Sequence, residues 1–343
     1  MELQNALFAL SVCIGPSGAE QGVYETAAAL LKPYVDDVTQ DVMGNLIALR
    51  TCENRNAKTI LLDAHLDEVG LIVTDHENGF LKFADVGVDP RLLPGLRVKV
   101  CTEPPLRGII SCLPPHVTKP EERDKAFSME ELRIDCGLGA EEAIRRVPVG
   151  TRVVYDTKPF RMGEKAVCAK SMDDRACFVI LCRVMELLKD ETLPVNLCVL
   201  GSVQEEFSGL GAVVAAYSMM PSQAIVVDVS FATAPDTKDD GCRKLGSGPM
   251  IGVGPVLNRA MSQKLQKLAR EKEIPFSREV IRSWTGTNAD GIQMSREGIP
   301  VSCVSLPLRY MHTPVEVIDL QDVENCAKLI AEYILSLKEE SEC

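Results

Sequence analysis

The chain has 343 residues, 46% of them apolar, and a formal net charge of −12, with a pI near 5.0 and a mean hydropathy of +0.04; that is enough for one large domain or two ordinary ones around a substantial core. Without any Lys/Arg-rich stretch, the acidic balance argues against a nucleic-acid partner or an anionic membrane surface. No apolar run approaches membrane-spanning length, the start Met1-Glu2-Leu3-Gln4-Asn5 lacks the pattern of a secretory signal, and the 13 cysteines are odd in number and never spaced Cys-x-x-Cys, so a cytoplasmic protein with free thiols is expected.

In chain order, an amphipathic helical pattern covers 21–33, and a short apolar run at 59–62 predicts a strand that ends in Asp63-Ala64-His65-Leu66-Asp67-Glu68. From there to about residue 155 the character changes. Short β-rich pieces at 70–73, 96–101, 108–112 and 152–155 are separated by turns such as Leu93-Pro94-Gly95 and Pro104-Pro105. The charged segment 119–125 reads as a solvated loop, and His76 and His116 as surface or turn residues.

A second helix is predicted over 175–189, directly after Ser171-Met172-Asp173-Asp174. Apolar runs at 195–203, 224–227 and 301–306 read as strands buried on both faces. They are followed by Gln204-Glu205-Glu206, by Asp228, and by Tyr310-Met311-His312. The glycine-rich stretch 245–254 lacks a Gly-Lys-Ser/Thr ending and reads as a turn, not as a phosphate loop. Helical patterns return at 260–272 and 320–337, the last with Asp319 as its cap.

Strands alternating with helices across connections of about a dozen residues or more predict an α/β fold with a mostly parallel core sheet flanked by helices. The Pro/Gly-rich interval predicts a small inserted β-rich domain. The boundaries are 1–67 with 158–343 for the α/β domain, and 68–157 for the insertion.

In open parallel sheets ligands bind beyond the carboxyl ends of the strands, and that is where His65, Glu205, Glu206, Asp228 and His312 fall. Taken alone, Asp173 and Asp174 read as helix-capping residues. Taken together, so many ionisable groups at one sheet edge need cations to offset their burial. A set of imidazoles and carboxylates without cysteine suits two divalent cations, Zn²⁺ or Co²⁺ foremost and Mn²⁺ also, with room for water. Neighbours in an extended segment point in opposite directions, so of Glu205 and Glu206 one can bind metal while the other takes a proton from water. That chemistry is hydrolysis. The adjacency weakens a glycosidase reading, whose two carboxylates stand on opposite sides of a sugar ring. Cys177 reads as a packing residue.

The chain resembles the family-42 metallo-aminopeptidases, the tetrahedral-assembly type also called glutamyl aminopeptidases or, misleadingly, endoglucanase M. The resemblance runs essentially end to end. It is carried by Asp63-Ala64-His65-Leu66-Asp67-Glu68-Val69-Gly70, Met172-Asp173-Asp174-Arg175, Gln204-Glu205-Glu206 and Pro307-Leu308-Arg309-Tyr310-Met311-His312-Thr313-Pro314-Val315-Glu316. It implies that Asp173 bridges two metals, that His65 and Asp228 complete one site and Glu206 and His312 the other, that Glu205 is the general base, and that Asp67 is the carboxylate that orients His65. Asp174 is left a supporting role.

It further implies removal of N-terminal residues from short peptides, and a dodecamer built from dimers through the inserted domain. Three positions depart from the family's usual pattern. The Arg common after the Glu pair is absent from Phe207-Ser208-Gly209-Leu210-Gly211-Ala212, Asn288 stands where Asp is frequent, and Cys177 where Gly is usual. The alternatives carried beside this reading are a metal-dependent deacylase or amidohydrolase of the same fold, and a non-catalytic peptide-binding assembly protein.

Overall fold

The computed structural model describes residues 1–54, 57–114, 116–118, 125–235, 237 and 241–337; residues 119–124 of the charged loop lie outside the described residues. From the N-terminus, α1 (Leu3–Ser11) and α2 (Gln21–Leu31) precede a hairpin of β1 (Asp37–Gln40) and β2 (Leu46–Arg50), and then β3 (Thr59–His65). Next come β4 (Gly70–Glu77), β5 (Phe80–Val86), β6 (Arg97–Val100), β7 (Leu106–Ser111), β8 (Arg133–Asp135), α3 (Ala140–Arg146) and β9 (Arg152–Tyr155). After β10 (Phe160–Met162) and β11 (Ala166–Ala169) the chain enters α4 (Met172–Leu187), β12 (Asn196–Ser202), α5 (Leu210–Met219), β13 (Gln223–Phe231) and β14 (Met250–Val253). It ends through α6 (Arg259–Glu271), β15 (Ser277–Val280), α7 (Ala289–Ile292), β16 (Val301–Leu308), β17 (Glu316–Asp319) and α8 (Leu320–Ser336).

The central sheet runs β1-β2-β12-β3-β13-β16-β14-β15. Its middle four strands, β12, β3, β13 and β16, are mutually parallel. The antiparallel pairings lie toward the edges, at β1 with β2, β2 with β12 and β14 with β16. This is the α/β fold with a mostly parallel core that the sequence predicted. The four middle strands are the four apolar runs, and they are apolar throughout because helices cover both faces.

On one face, Ile60 and Leu62 of β3 pack against Phe178 and Leu181 of α4 and Ile330 of α8 in the main core. On the other, Leu61, Ala224 and Cys303 pack under Ala212, Ala216 and Ile292 of α5 and α7. Asp319 accepts a hydrogen bond from the Gln321 N–H at 2.7 Å and so starts α8.

Strands β4 to β9 close into a barrel in the order β4-β5-β8-β7-β6-β9, filled by its own cluster that includes Leu71, Val73, Leu81, Val98, Ile134 and Val153. His76, expected at the surface or in a turn, is instead half-buried within β4 with Nε2 2.7 Å from the Val147 carbonyl; His116 is exposed. The first part of the glycine-rich stretch is a turn as expected, held by Asp322 of α8, whose carboxylate accepts from the N–H groups of Gly246 and Gly248 at 2.7 Å each, whereas Met250–Val253, expected within the turn, form strand β14. Helix α5 escaped the sequence reading because its residues, LGAVVAAYSM, are apolar all round and show no helical period. No described helix is long and apolar enough to cross a membrane.

Candidate metal centre

His65 is the last residue of β3 and pairs in register with Ser202, the last of β12. Val226 pairs with Asp63, so two residues further along each strand Asp228 and His65 share a face of the sheet. The Glu205-Glu206 pair follows β12, His312 lies between β16 and β17, and Asp173 with Asp174 opens α4. One sheet edge thus gathers all the residues that the motifs singled out.

Asp173 stands between the two imidazoles. Its Oδ1 is 3.2 Å from His65 Nε2 and its Oδ2 is 3.3 Å from His312 Nε2. Glu206 Oε2 approaches His312 Nε2 at 3.2 Å, and Glu205 Oε2 approaches His65 Nε2 at 3.8 Å. The two glutamates do not sit in an extended segment, as expected, but in a turn closed by bonds from Ser208 and Gly209 N–H to the Gln204 carbonyl. They still diverge, one toward each histidine.

The donor atoms of His65, Asp173 and Glu206 all lie within 4.8 Å of one another, and so do those of His65, Asp174 and Asp228. Asp174 is therefore closer to the chemistry than a supporting role implies. It accepts from the His65 N–H at 3.2 Å, while its buried Oδ1 and the buried Oε1 of Glu206 have no hydrogen-bond partner among the described residues. Burial first, then the neighbouring Glu205, pushes the Asp228 carboxyl well up. Burial and Asp228 do the same to Asp174, and burial and Asp173 raise Glu206.

Glu205 is held at about 8, chiefly by burial, with His65 pulling the other way. Burial alone lowers His312, but Asp173 and Glu206 outweigh it and carry the imidazole to about 11. Orphaned oxygens and carboxylates crowded out of their ionised form are what a cation-binding cluster looks like when read from the protein side, and the residues fit divalent cations.

A second layer fixes these groups. Asp67 Oδ1 lies 3.3 Å from His65 Nδ1, and the same carboxylate accepts the backbone N–H of Glu205 at 3.0 Å and of Glu206 at 3.2 Å. One buried side chain thereby stands against an imidazole and holds the glutamate turn by two hydrogen bonds. Glu316 does the same on the other side: Oε2 accepts from Met172 and Asp173 N–H at 2.7 and 3.2 Å, and Oε1 from His312 N–H at 2.8 Å. Glu316→Ala is expected to loosen Asp173 and His312 and to weaken metal affinity by about 10–100-fold, read by calorimetric titration of the metal-stripped protein.

Behind β3, Glu68 is paired with Lys170 Nζ at 2.5 Å and Arg175 Nη2 at 3.1 Å, all three essentially sealed from solvent. The sequence quoted Glu68, Arg175 and Glu316 inside motifs but gave them no role, because a partner remote in sequence is invisible without the fold. Lys170 carried no signal at all.

The departures from the family pattern have local accounts. Asn288 Nδ2 donates to Asp63 Oδ2 and Ser202 Oγ, each at 2.9 Å. An aspartate there would face the buried Asp63, itself raised to about 6 by burial, so asparagine supplies a donor where a second carboxylate would need a shared proton. Cys177 is sealed in the main core, as a packing residue. Phe207 and Leu210 are exposed and touch none of the cluster's polar contacts.

A cavity of about 460 Å³ opens beside the cluster, and Asp173, Glu205, Glu206, Asp228 and His312 line it. Divalent cations held by these residues would supply Lewis-acid chemistry for amide hydrolysis.

Residues 44–329 match the family model described as M42 glutamyl aminopeptidase. A lysyl aminopeptidase of Pyrococcus furiosus is 31% identical over 332 residues, covering 94% of each chain. The solved structure of an aminopeptidase from the archaeon Desulfurococcus kamchatkensis superposes with a TM-score of 0.90 at 32% identity, covering 97% of this chain and 94% of that one. The TET1 peptidase of Pyrococcus horikoshii, described as assembling into a tetrahedron or a large octahedral shell, gives a TM-score of 0.85 at 30% identity over 97% of this chain and 99% of its own.

Proposed function

The chain belongs to the M42 glutamyl aminopeptidase family and is an aminopeptidase, a hydrolase of peptide bonds, and from that premise we propose that it works with two divalent cations and a glutamate base on the N-termini of short peptides. His65, Asp173 and Asp228 would hold one cation and Asp173, Glu206 and His312 the other, with Zn²⁺ or Co²⁺ preferred and Mn²⁺ accepted. When bound, the cations polarise the scissile carbonyl and acidify water.

Glu205 takes the proton from that water and returns it to the leaving amine. Asp67 keeps His65 in one tautomer and fixes the turn that aims Glu205. The single observation that supports the reading most is Asp173, with one carboxylate oxygen facing each histidine.

The β4 to β9 barrel, the core of a 68–157 insertion, is the proposed dimerisation and assembly unit. In a shell of the kind described for the Pyrococcus horikoshii relative, such a unit would leave the sheet edge facing a lumen that short peptides enter. Acyl groups other than amino acids are the second reading, since a deacylase of this fold needs the same cations.

Chelator-stripped protein assayed on aminoacyl-p-nitroanilides and short peptides, with and without Zn²⁺, Co²⁺ or Mn²⁺, tests the proposal. Metal-restored release of N-terminal residues is expected. Full activity in the stripped, metal-free protein would overturn it, and hydrolysis confined to N-acyl substrates would favour the deacylase.

A further inference from the structure

The lining of the cavity also carries chemistry that the reaction does not use. Glu279, on β15, lines it together with Ile281, Cys303, Ser305 and Met311. Its carboxylate is fixed from two sides: the Ser305 hydroxyl donates to Oε2 at 2.6 Å and the Ser230 hydroxyl donates to Oε1.

The register explains how it gets there. Ser305 of β16 pairs with Asp228 of β13 on one side and with Met250 of β14 on the other, while Glu279 pairs with Gly252 of β14. The Glu279 side chain reaches across β14 to the Ser305 hydroxyl. Ser305 in turn lies one strand spacing, about 5 Å, from Asp228.

Two serine hydroxyls leave the Glu279 oxygens with unused lone pairs, because an ionised carboxylate offers about four acceptor positions. Among the described residues, no lysine or arginine lines this cavity, and Glu279 makes no ion pair. The same lining includes the apolar Val229, Phe231, Ile281 and Met311. A cavity that offers a carboxylate and apolar surface beside the cluster matches an aliphatic stem that ends in a cation. An acidic side chain would meet like charge there, with desolvation added. The net charge of −12 also draws basic peptides toward the protein.

We infer that Glu279 is a specificity-determining residue and that the preferred N-terminal residue is basic, lysine or arginine. The inference rests on the aminopeptidase site proposed above.

The test is a set of metal-loaded assays on lysyl-, arginyl-, leucyl- and glutamyl-p-nitroanilide, comparing the natural protein with Glu279→Gln and Glu279→Lys. The natural protein is expected to give its highest kcat/KM on the lysyl or arginyl substrate. Glu279→Gln is expected to lower the lysyl-to-leucyl kcat/KM ratio by about tenfold or more, mostly through KM, and Glu279→Lys to move the preference toward glutamyl substrate.

A natural protein that cleaves leucyl or glutamyl substrate best would overturn the inference and leave the aminopeptidase site standing, whereas silence across all four would overturn the site itself. Equal loss on every substrate in the Gln variant, with thermal stability retained, would place Glu279 on the substrate's α-ammonium and likewise overturn the specificity role. Should the Gln variant be unstable, Ser305→Ala, which leaves the charge but frees it from one of its two anchors, is expected to lower the same ratio; an unchanged ratio would count against the inference.

Discussion

Glu205→Gln is expected to lower kcat by about 10²–10⁴-fold, the usual contribution of a positioned proton-transfer group, while the bound metal stays at the level of the natural protein. Glutamine keeps the size and the backbone bond from residue 205 to Asp67 Oδ1, so the turn and the neighbouring Glu206 stay where they are. What is lost is the ability to accept a proton.

The Glu205 carboxyl is placed for that task. It lies in the cavity beside Asp173 and Asp228, nearly enclosed, with its nearest imidazole contact the 3.8 Å approach to His65 Nε2, and it is not one of the donors in either tight trio. Burial holds its proton on up to about 8, and positive charge brought beside it lowers that value, so an occupied cluster makes the base available near neutrality. Metal content measured with kcat separates the outcomes. Near-normal turnover would remove Glu205 from the role of base, and activity lost in step with metal would make it a ligand.

Glu68→Ala carries the largest expected stability effect. The Glu68 side chain is 2% exposed, as is Lys170, and Arg175 is 1% exposed. Removing the one anion leaves two cations buried without compensation, a loss of about 3–5 kcal/mol by analogy with broken buried pairs. It also deletes the acceptor of the Ser171 hydroxyl at 2.7 Å and the Gly15 N–H at 3.1 Å.

Arg175 would remain hydrogen-bonded to the carbonyls of Leu66, Leu10 and Cys13, so the damage centres on charge and not on packing alone. Burial by itself would raise the Glu68 carboxyl, but Lys170 and Arg175 outweigh it and hold it below its ordinary value of 4.5. A depressed acid binds fewer protons folded than unfolded, so its stabilisation is present above pH 4.5 and fades as the pH falls through the folded value. Guanidinium midpoints of the natural protein and the variant should differ most near neutrality and converge in acid. Equal midpoints at neutral pH would show that the network contributes no net stability. Activity is expected to fall as well, since Glu68 adjoins Asp67 and its partner Ser171 leads into Asp173.

The parallel centre of the sheet was legible because strands covered on both faces are apolar throughout, and the runs at 59–62, 195–203, 224–227 and 301–306 are of strand length and rich in β-branched residues. Helices α2, α6 and α8 were legible through one-sided burial, which leaves a 3.6-residue period in the sequence; α4, also read as a helix, is buried on nearly every side. Helix α5 was not, being apolar on every side. Nor were the antiparallel edge strands, whose short half-exposed segments, such as Asp37–Gln40, carry little pattern of their own.

For the site, the sequence by itself determined which chemistry was on offer: two histidines and several carboxylates placed just past strand ends, too costly to bury without cations. Tertiary structure alone decided how they meet. It set Asp173 between His65 and His312, brought Asp174 up to Asp228, and put Glu205 and Glu206 in a turn instead of an extended segment. It also showed that Asp67, already expected beside His65, reaches across 138 positions to Glu205, and revealed Glu316, which reaches across 143 to Asp173. The reason is physical: hydrophobic periodicity is written locally along the chain, whereas a buried charge is stabilised by partners brought from remote strands, and that pairing exists only once the sheet has formed.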